Sequence, residues 1–229
     1  MKIILTGATG FVGACTLQHL VADRRVSKII CLTRKLFPAD SPKVNPILHE
    51  DFAVYDDALL DELANSQACI WTLGAKESDL ADRDALASVT YTFTLAMARG
   101  IAERVKHPFT FCYLSGMGAD QAESARLPWE RATRHLKGRT EKDLLALQED
   151  NANFSVHCFR PGGILPDDAN RVLRFLLAPI VVSVGELADA MIAESLEEKT
   201  FRRHPIIHNS AMKELYRTKD LGVPFHGGS

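Results

Sequence analysis

The sequence predicts an α/β fold, a doubly wound parallel sheet with helices on both faces. Three observations predict it. The chain opens on an apolar strand, Lys2-Ile3-Ile4-Leu5-Thr6, that runs through Gly7, Gly10 and Gly13 into a helix-like stretch. Strand-like and helix-like runs then alternate, the order that builds right-handed crossovers between parallel strands. Ala68 to Leu73 is apolar at every position but Thr72, as expected of a strand covered on both faces.

The glycines come first. Gly7 suits a sharp turn because glycine takes positive φ without cost. Gly10 carries no side chain to hold a phosphate off the backbone, and Gly13 lets the helix approach the strand. The helix from Phe11 to Asp23 then offers unpaired N–H groups and the positive end of its dipole to an anion. Strand, glycine turn and helix in this order form a dinucleotide-binding fingerprint. A glycine turn without a ligand is the alternative.

The second strand, Lys28 to Thr33, ends where such folds place a carboxylate on the ribose 2′-hydroxyl of NAD. Here Thr33, Arg34 and Lys35 stand there. A guanidinium makes charge-assisted bonds to a 2′-phosphate, so the sequence favours NADP(H) over NAD. Basic residues on a solvated turn are the alternative. Leu36 to Asn45 reads as a loop. Pro46 to His49 is a weak third strand, and Asp56 or Asp57 caps the next helix. The fourth strand, Ala68 to Leu73, runs into a second glycine turn, Leu73-Gly74-Ala75. The helix from Ala85 to Arg104 shows Val89, Phe93, Met97 and Ile101 at every fourth position, a core stripe or a dimer face. Phe109 to Leu114 is the fifth strand and leads into Ser115-Gly116-Met117-Gly118. A helix from Trp129 to Asp150 and a strand from Phe154 to Phe159 follow, then Arg160-Pro161-Gly162. A helix over Val184 to Glu197, a strand over Pro205 to His208 and a helix over Ala211 to Tyr216 complete the chain.

The 229 residues, 46% apolar and 24% charged, suit one domain with a substantial core, residues 1–229, with residues 164–229 as a small substrate-side extension. A net charge of −2 gives no electrostatic case for nucleic acid or an anionic membrane. No segment has the length of a membrane span and no signal peptide precedes the first strand, so the expected location is cytoplasmic. Five cysteines, none close to another in sequence, fit neither a disulfide frame nor a zinc site, and no metal is expected.

Thr6-Gly7-Ala8-Thr9-Gly10-Phe11-Val12-Gly13, Leu73-Gly74-Ala75, Ser115, Lys137-Gly138-Arg139-Thr140-Glu141 and Arg160-Pro161-Gly162 together resemble the short-chain dehydrogenases/reductases. These are Rossmann-like proteins, and the likeness is to the atypical, extended branch that includes NmrA-type regulators and the Tat-interacting oxidoreductase-like proteins. The resemblance implies a cofactor site made of Gly7, Thr9, Gly10, Phe11, Val12, Gly13, Arg34, Lys35, Asp51, Leu73, Gly74 and Lys137, with Asp51 on the adenine amino group. It implies that Ser115 orients a substrate carbonyl and that Lys137 holds the ribose hydroxyls. In working members a tyrosine four residues before the lysine is the acid–base group, its phenol acidified by the neighbouring cation. Thr133 stands at that position, and no tyrosine occurs from Leu114 to Asp150. Loss of a positioned acid–base group costs about 10²–10⁴-fold in rate. Met117, Trp129, Phe175 and Leu176 are the expected walls of an apolar substrate pocket.

Three functions follow from this reading. The chain is an NADP(H)-binding reductase of a small apolar carbonyl or enone. Alternatively it is a non-redox isomerase or cyclase, such as a pericyclase, on the same scaffold. The third is a regulatory protein that senses NADP(H). A monomer or homodimer is expected.

Overall fold

The computed structural model describes residues 1–74, 83–122, 131–170, 176–196 and 205–220. Its main sheet has seven strands: β1 Lys2–Thr6, β2 Lys28–Thr33, β3 Val44–Leu48, β4 Ala68–Trp71, β5 Phe109–Leu114, β6 Phe154–Arg160 and β9 Ile206–His208. They lie in the order β3-β2-β1-β4-β5-β6-β9, every neighbouring pair parallel. The helices are α1 Phe11–Ala22, α2 Asp57–Ala64, α3 Arg83–Ala87, α4 Phe93–Ala102, α5 Arg131–Asp150, α6 Val184–Leu196 and α7 Asn209–Asp220.

Alternation along the strands gives each helical layer its own core, since successive side chains point to opposite faces. Ile3, Leu5, Ile29, Cys31 and Ile70 pack with Leu20 of α1 and with Leu187 and Met191 of α6. Ile4, Ile30, Cys69 and Trp71 face the other way, onto Leu60 and Leu63 of α2, Met97 and Ile101 of α4 and Leu144 of α5. The chain fills the sheet from β1 outward to β3, then returns to lay β4, β5 and β6 on the other side. A crevice therefore opens beyond the carboxyl ends of β1 and β4, where this fold class puts ligands.

β2 and β5 have the bounds the sequence predicts. β3 starts two residues earlier than predicted, at Val44, and takes Pro46 into register with Cys31. Lys43 O accepts from Ile29 N and His49 N donates to Thr33 O, so odd-numbered residues turn toward β2 and Pro46 turns its imide nitrogen outward. Proline is tolerated there because only an edge strand has no partner on that side. Asp56, not Asp57, caps α2, accepting from Leu59 N at 2.7 Å.

The predicted continuous helix over 85–104 is interrupted. Ser88–Thr92 forms a π turn between α3 and α4, with Phe93 N bonded to Ser88 O. The wider turn rotates the inward face. Met97 and Ile101 are buried as the stripe predicts, Val89 and Phe93 are only half-buried, and Leu86, Thr90 and Thr94 point inward instead. Two short parallel strands also escaped the sequence reading, β7 Gly163–Leu165 and β8 Val181–Ser183, paired with each other outside the main sheet.

Candidate functional site

The turn after β1 is built as its glycines require. Gly7 has φ +70°. A Cβ on Gly13 would lie 1.9 Å from Gly7 O, so α1 crosses the turn at a distance only glycine allows. Gly10 caps α1 without a side-chain hydrogen bond, leaving the first helical N–H groups facing the crevice. Phe11 is 54% exposed at the helix start, Thr9 is exposed, and Val12 is buried behind them. The ends of β1 and β4 are stitched together: Thr72 Oγ1 donates to Thr6 O at 2.6 Å, and Leu73 N donates to Thr6 Oγ1 at 3.3 Å.

A cleft at this edge is lined by Gly7, Ala8, Thr9, Leu32, Thr33, Arg34, Lys35, Phe52 and Leu73. Thr33 shapes its basic rim. Its Oγ1 donates to Lys35 O at 2.8 Å, holding the turn that presents Arg34 and Lys35 to solvent. No carboxylate lines the cleft among the described residues. Asp51 is exposed, and its Oδ1 accepts from Ala53 N at 2.9 Å, capping its own turn beside the cleft residue Phe52. Gly74 lies in open space, so sterics alone do not require a glycine there.

The second wall of the site comes from β5, α5 and β6. Lys137 points from α5 to the loop after β5, where its Nζ donates to Ser115 O at 2.9 Å. A Cβ on Gly116 would come within 3.3 Å of that ammonium, so Lys137 lies over the backbone of Gly116. The closeness of α5 to this loop depends on Gly138, where a Cβ would sit 2.1 Å from Asp120 O.

Ser115 is 2% exposed and its hydroxyl donates to Glu141 Oε1 at 2.5 Å. Glu141 is fully buried on α5. The same carboxylate accepts from Gln121 Nε2 at 2.9 Å, from Arg160 Nε at 2.9 and 3.2 Å, and from the Arg160 Nη2. This pairing holds the Arg160 guanidinium more firmly protonated than usual, against the opposing effect of burial. A hydroxyl has one proton to donate, and Ser115 gives its proton to Glu141. Glu141 and Arg160 lie in motifs that were visible in the sequence, but their pairing was not read there. The available signal was the spacing of Lys137 and Glu141, one helical turn apart on one face.

Thr133 is 7% exposed one turn before Lys137, and its Oγ1 is buried with no partner among the described residues. No tyrosine with a described side chain takes the missing role. Tyr113 is buried in the sheet, and burial pushes its phenol well up. Tyr55 is pushed up by burial as well, and Tyr91 donates to Asp143 Oδ2 at 2.6 Å. Of the expected substrate walls, Met117 is 49% and Leu176 69% exposed. Trp129 and Phe175 lie outside the described residues. Among the described residues no cluster of His, Cys, Asp or Glu could hold a metal ion, and no helix is long and apolar enough to cross a membrane.

An NAD-binding family described as "Male sterility protein" matches residues 5–68, the stretch from β1 to the start of β4. The "Leucinostatins biosynthesis cluster protein T" of Purpureocillium lilacinum is 28% identical over 180 residues, 70% of this chain and 64% of that protein. The chain thus matches somewhat less than two thirds of that relative's length. Among solved structures, a short chain dehydrogenase from Burkholderia cenocepacia in complex with NADP superimposes with a TM-score of 0.67 at 18% identity. That match covers 96% of this chain and 92% of the other. The yeast methylglyoxal/isovaleraldehyde reductase Gre2 complexed with NADPH gives a TM-score of 0.67 at 15% identity, covering 90% and 78%. The fold is therefore a Rossmann-type fold like that of NAD(P)-binding short-chain dehydrogenases and reductases.

Proposed function

We propose that this chain is an NADP(H)-binding enzyme of the short-chain dehydrogenase type, a reductase of a small apolar carbonyl or enone. The observation that carries the reading is the cleft at the carboxyl ends of β1 and β2. It joins a side-chain-free turn at a helix amino end to a basic rim, Arg34 and Lys35, with threonine where NAD-binding folds place an acid. A pyrophosphate would lie against the N–H groups of α1, and a 2′-phosphate would meet Arg34. The bound dinucleotide would supply hydride. Lys137 would hold its ribose and place positive charge beside the developing oxyanion. Exposed apolar side chains at Phe11, Met117 and Leu176 favour an apolar substrate over a sugar. The Gre2 structure, a methylglyoxal/isovaleraldehyde reductase by description, supports a small carbonyl compound.

Among the described residues no phenol reaches the site, and this favours a second reading, a non-redox isomerase or cyclase that keeps the dinucleotide as scaffold or has abandoned it. While Ser115 is bound to Glu141 and the Thr133 hydroxyl has no hydrogen-bond partner among the described residues, neither provides a ready proton for a carbonyl oxygen. Titration calorimetry with NADPH and NADH tests the first reading. Binding of NADPH in preference to NADH supports it, and no binding of either removes it together with the sensor alternative. Thr133→Tyr then separates reduction from the rest. Gain of NADPH-dependent carbonyl reduction points to a reductase site short of its acid, and turnover independent of NADPH in the parent points to non-redox chemistry.

A further inference from the structure

We propose that Glu141 is a positioning residue that sets where the Lys137 ammonium stands, and that Ser115 acts as the link between them rather than on substrate. The inference rests on the reading of Lys137 as a cofactor-side cation. Every polar group of Ser115 is engaged. Its N–H donates to Phe159 O at 2.8 Å, its carbonyl accepts from Lys137 Nζ at 2.9 Å, and its hydroxyl donates to Glu141 at 2.5 Å. Lys137 and Glu141, one turn apart on α5, thus grip the same residue at its two ends.

Glu141 in turn collects three donor residues from two places: Ser115 and Gln121 on the loop after β5, and Arg160 at the end of β6. A fully buried carboxylate is tolerated only when its lone pairs are met by donors and its charge by a cation, and this one has both. The carboxylate therefore locks the loop to α5 and β6 at one height along the helix. Gly138 permits that height, because any Cβ there would strike Asp120 O. The loop carbonyl fixed in this way is the anchor of Lys137. Removing the charge of Glu141 replaces a charge-assisted bond to Ser115 with a weaker neutral one, and Lys137 loses the fixed position of its acceptor.

The test compares two ligands and one chemical probe. NADPH reaches from the Arg34 rim to Lys137, whereas 2′,5′-ADP occupies only the rim. Glu141→Gln should weaken NADPH by about tenfold, the equivalent of one hydrogen bond to a charged group. Binding of 2′,5′-ADP should stay within about twofold, well below that difference. Equal losses for both ligands would mean general damage and overturn the proposal. Failure of the parent protein to bind 2′,5′-ADP would instead count against the cofactor reading.

A readout independent of cofactor is the acetylation rate of Lys137 by a water-soluble succinimidyl acetate, followed by peptide mass spectrometry. Release from the carbonyl should raise it about threefold or more in Glu141→Gln relative to Lys28 and Lys35, as expected when a held ammonium gains freedom. Unchanged labelling overturns the proposal whatever the ligands do. Ser115→Ala covers the case in which Glu141→Gln fails to fold, since it removes a single hydroxyl and keeps the Glu141–Arg160 pair. It should raise Lys137 labelling as well. A serine that served only substrate would leave that rate untouched.

Discussion

The two walls of the site achieve precision by opposite means. The β1–α1 turn is accurate because side chains are missing: Gly7 turns left-handed and Gly13 lets the helix backbone pass over Gly7 O. The β5–α5–β6 wall is accurate because side chains are packed around one buried charge, with Ser115, Gln121 and Arg160 converging on Glu141. The first wall presents backbone N–H groups to a ligand, and its turn is tied to the rest of the sheet mainly by Thr72 and Leu73 at the end of β4. The second needs residues from three separate segments to arrive together. Direct phosphate contacts should therefore concentrate in the first wall, and the larger folding determinants in the second.

The sharpest way to break this contrast is Glu141→Ala. It strands the Arg160 guanidinium, whose side chain is only 16% exposed, without its counter-charge. Loss of one partner of such a pair costs about 3–5 kcal/mol, so thermal unfolding should fall by on the order of 10 °C. A melting temperature within a few degrees of the parent would refute the picture. Gly13→Ala comes next. The new methyl must displace α1 from Gly7 O, an overpacking that costs about 1–3 kcal/mol, and it should abolish detectable NADPH binding in a calorimeter while leaving a folded protein.

Arg34→Ala should do the reverse of Glu141→Ala. The side chain is exposed, so circular dichroism melts should not move, while NADPH affinity should drop about tenfold or more with the loss of a charge-assisted bond. NADH affinity should be unaffected, and a parallel loss for both dinucleotides would deny Arg34 its role at the 2′-phosphate. The smallest effect concerns Thr133. Its buried Oγ1 has no partner among the described residues, so Thr133→Val should be neutral or stabilising by up to about 1 kcal/mol in urea unfolding. A clear destabilisation would reveal a hydrogen bond to the Thr133 hydroxyl.

The same contrast explains what the sequence disclosed. The glycine turn, the threonine at the end of β2 and the basic residues after it, and the bounds of β2 and β5 were legible because they depend on local backbone geometry and on mostly apolar runs. The absence of tyrosine before Lys137 was equally plain. The Glu141 cluster was not, because the loop after β5 and the end of β6 meet α5 only in the folded sheet. Ser115 reads in sequence as a group that orients a substrate carbonyl, and nothing local says that it bonds a carboxylate 26 residues further along the chain. The π turn at Ser88–Thr92 was hidden for a related reason. A repeat of four looks the same whether the helix keeps its phase or inserts a wider turn, and packing decides which residues face inward.

Pro46 in β3 has a consequence for how these molecules behave in a crowd. An edge strand with a complete row of outward donors is a template for another chain, and repeated pairing there leads to aggregates. The imide nitrogen of Pro46 interrupts that row at the middle of a five-residue strand. A foreign strand laid along β3 would lose a hydrogen bond and meet the proline ring. The edge nearest the Arg34 rim is thereby a poor template for growing the sheet sideways.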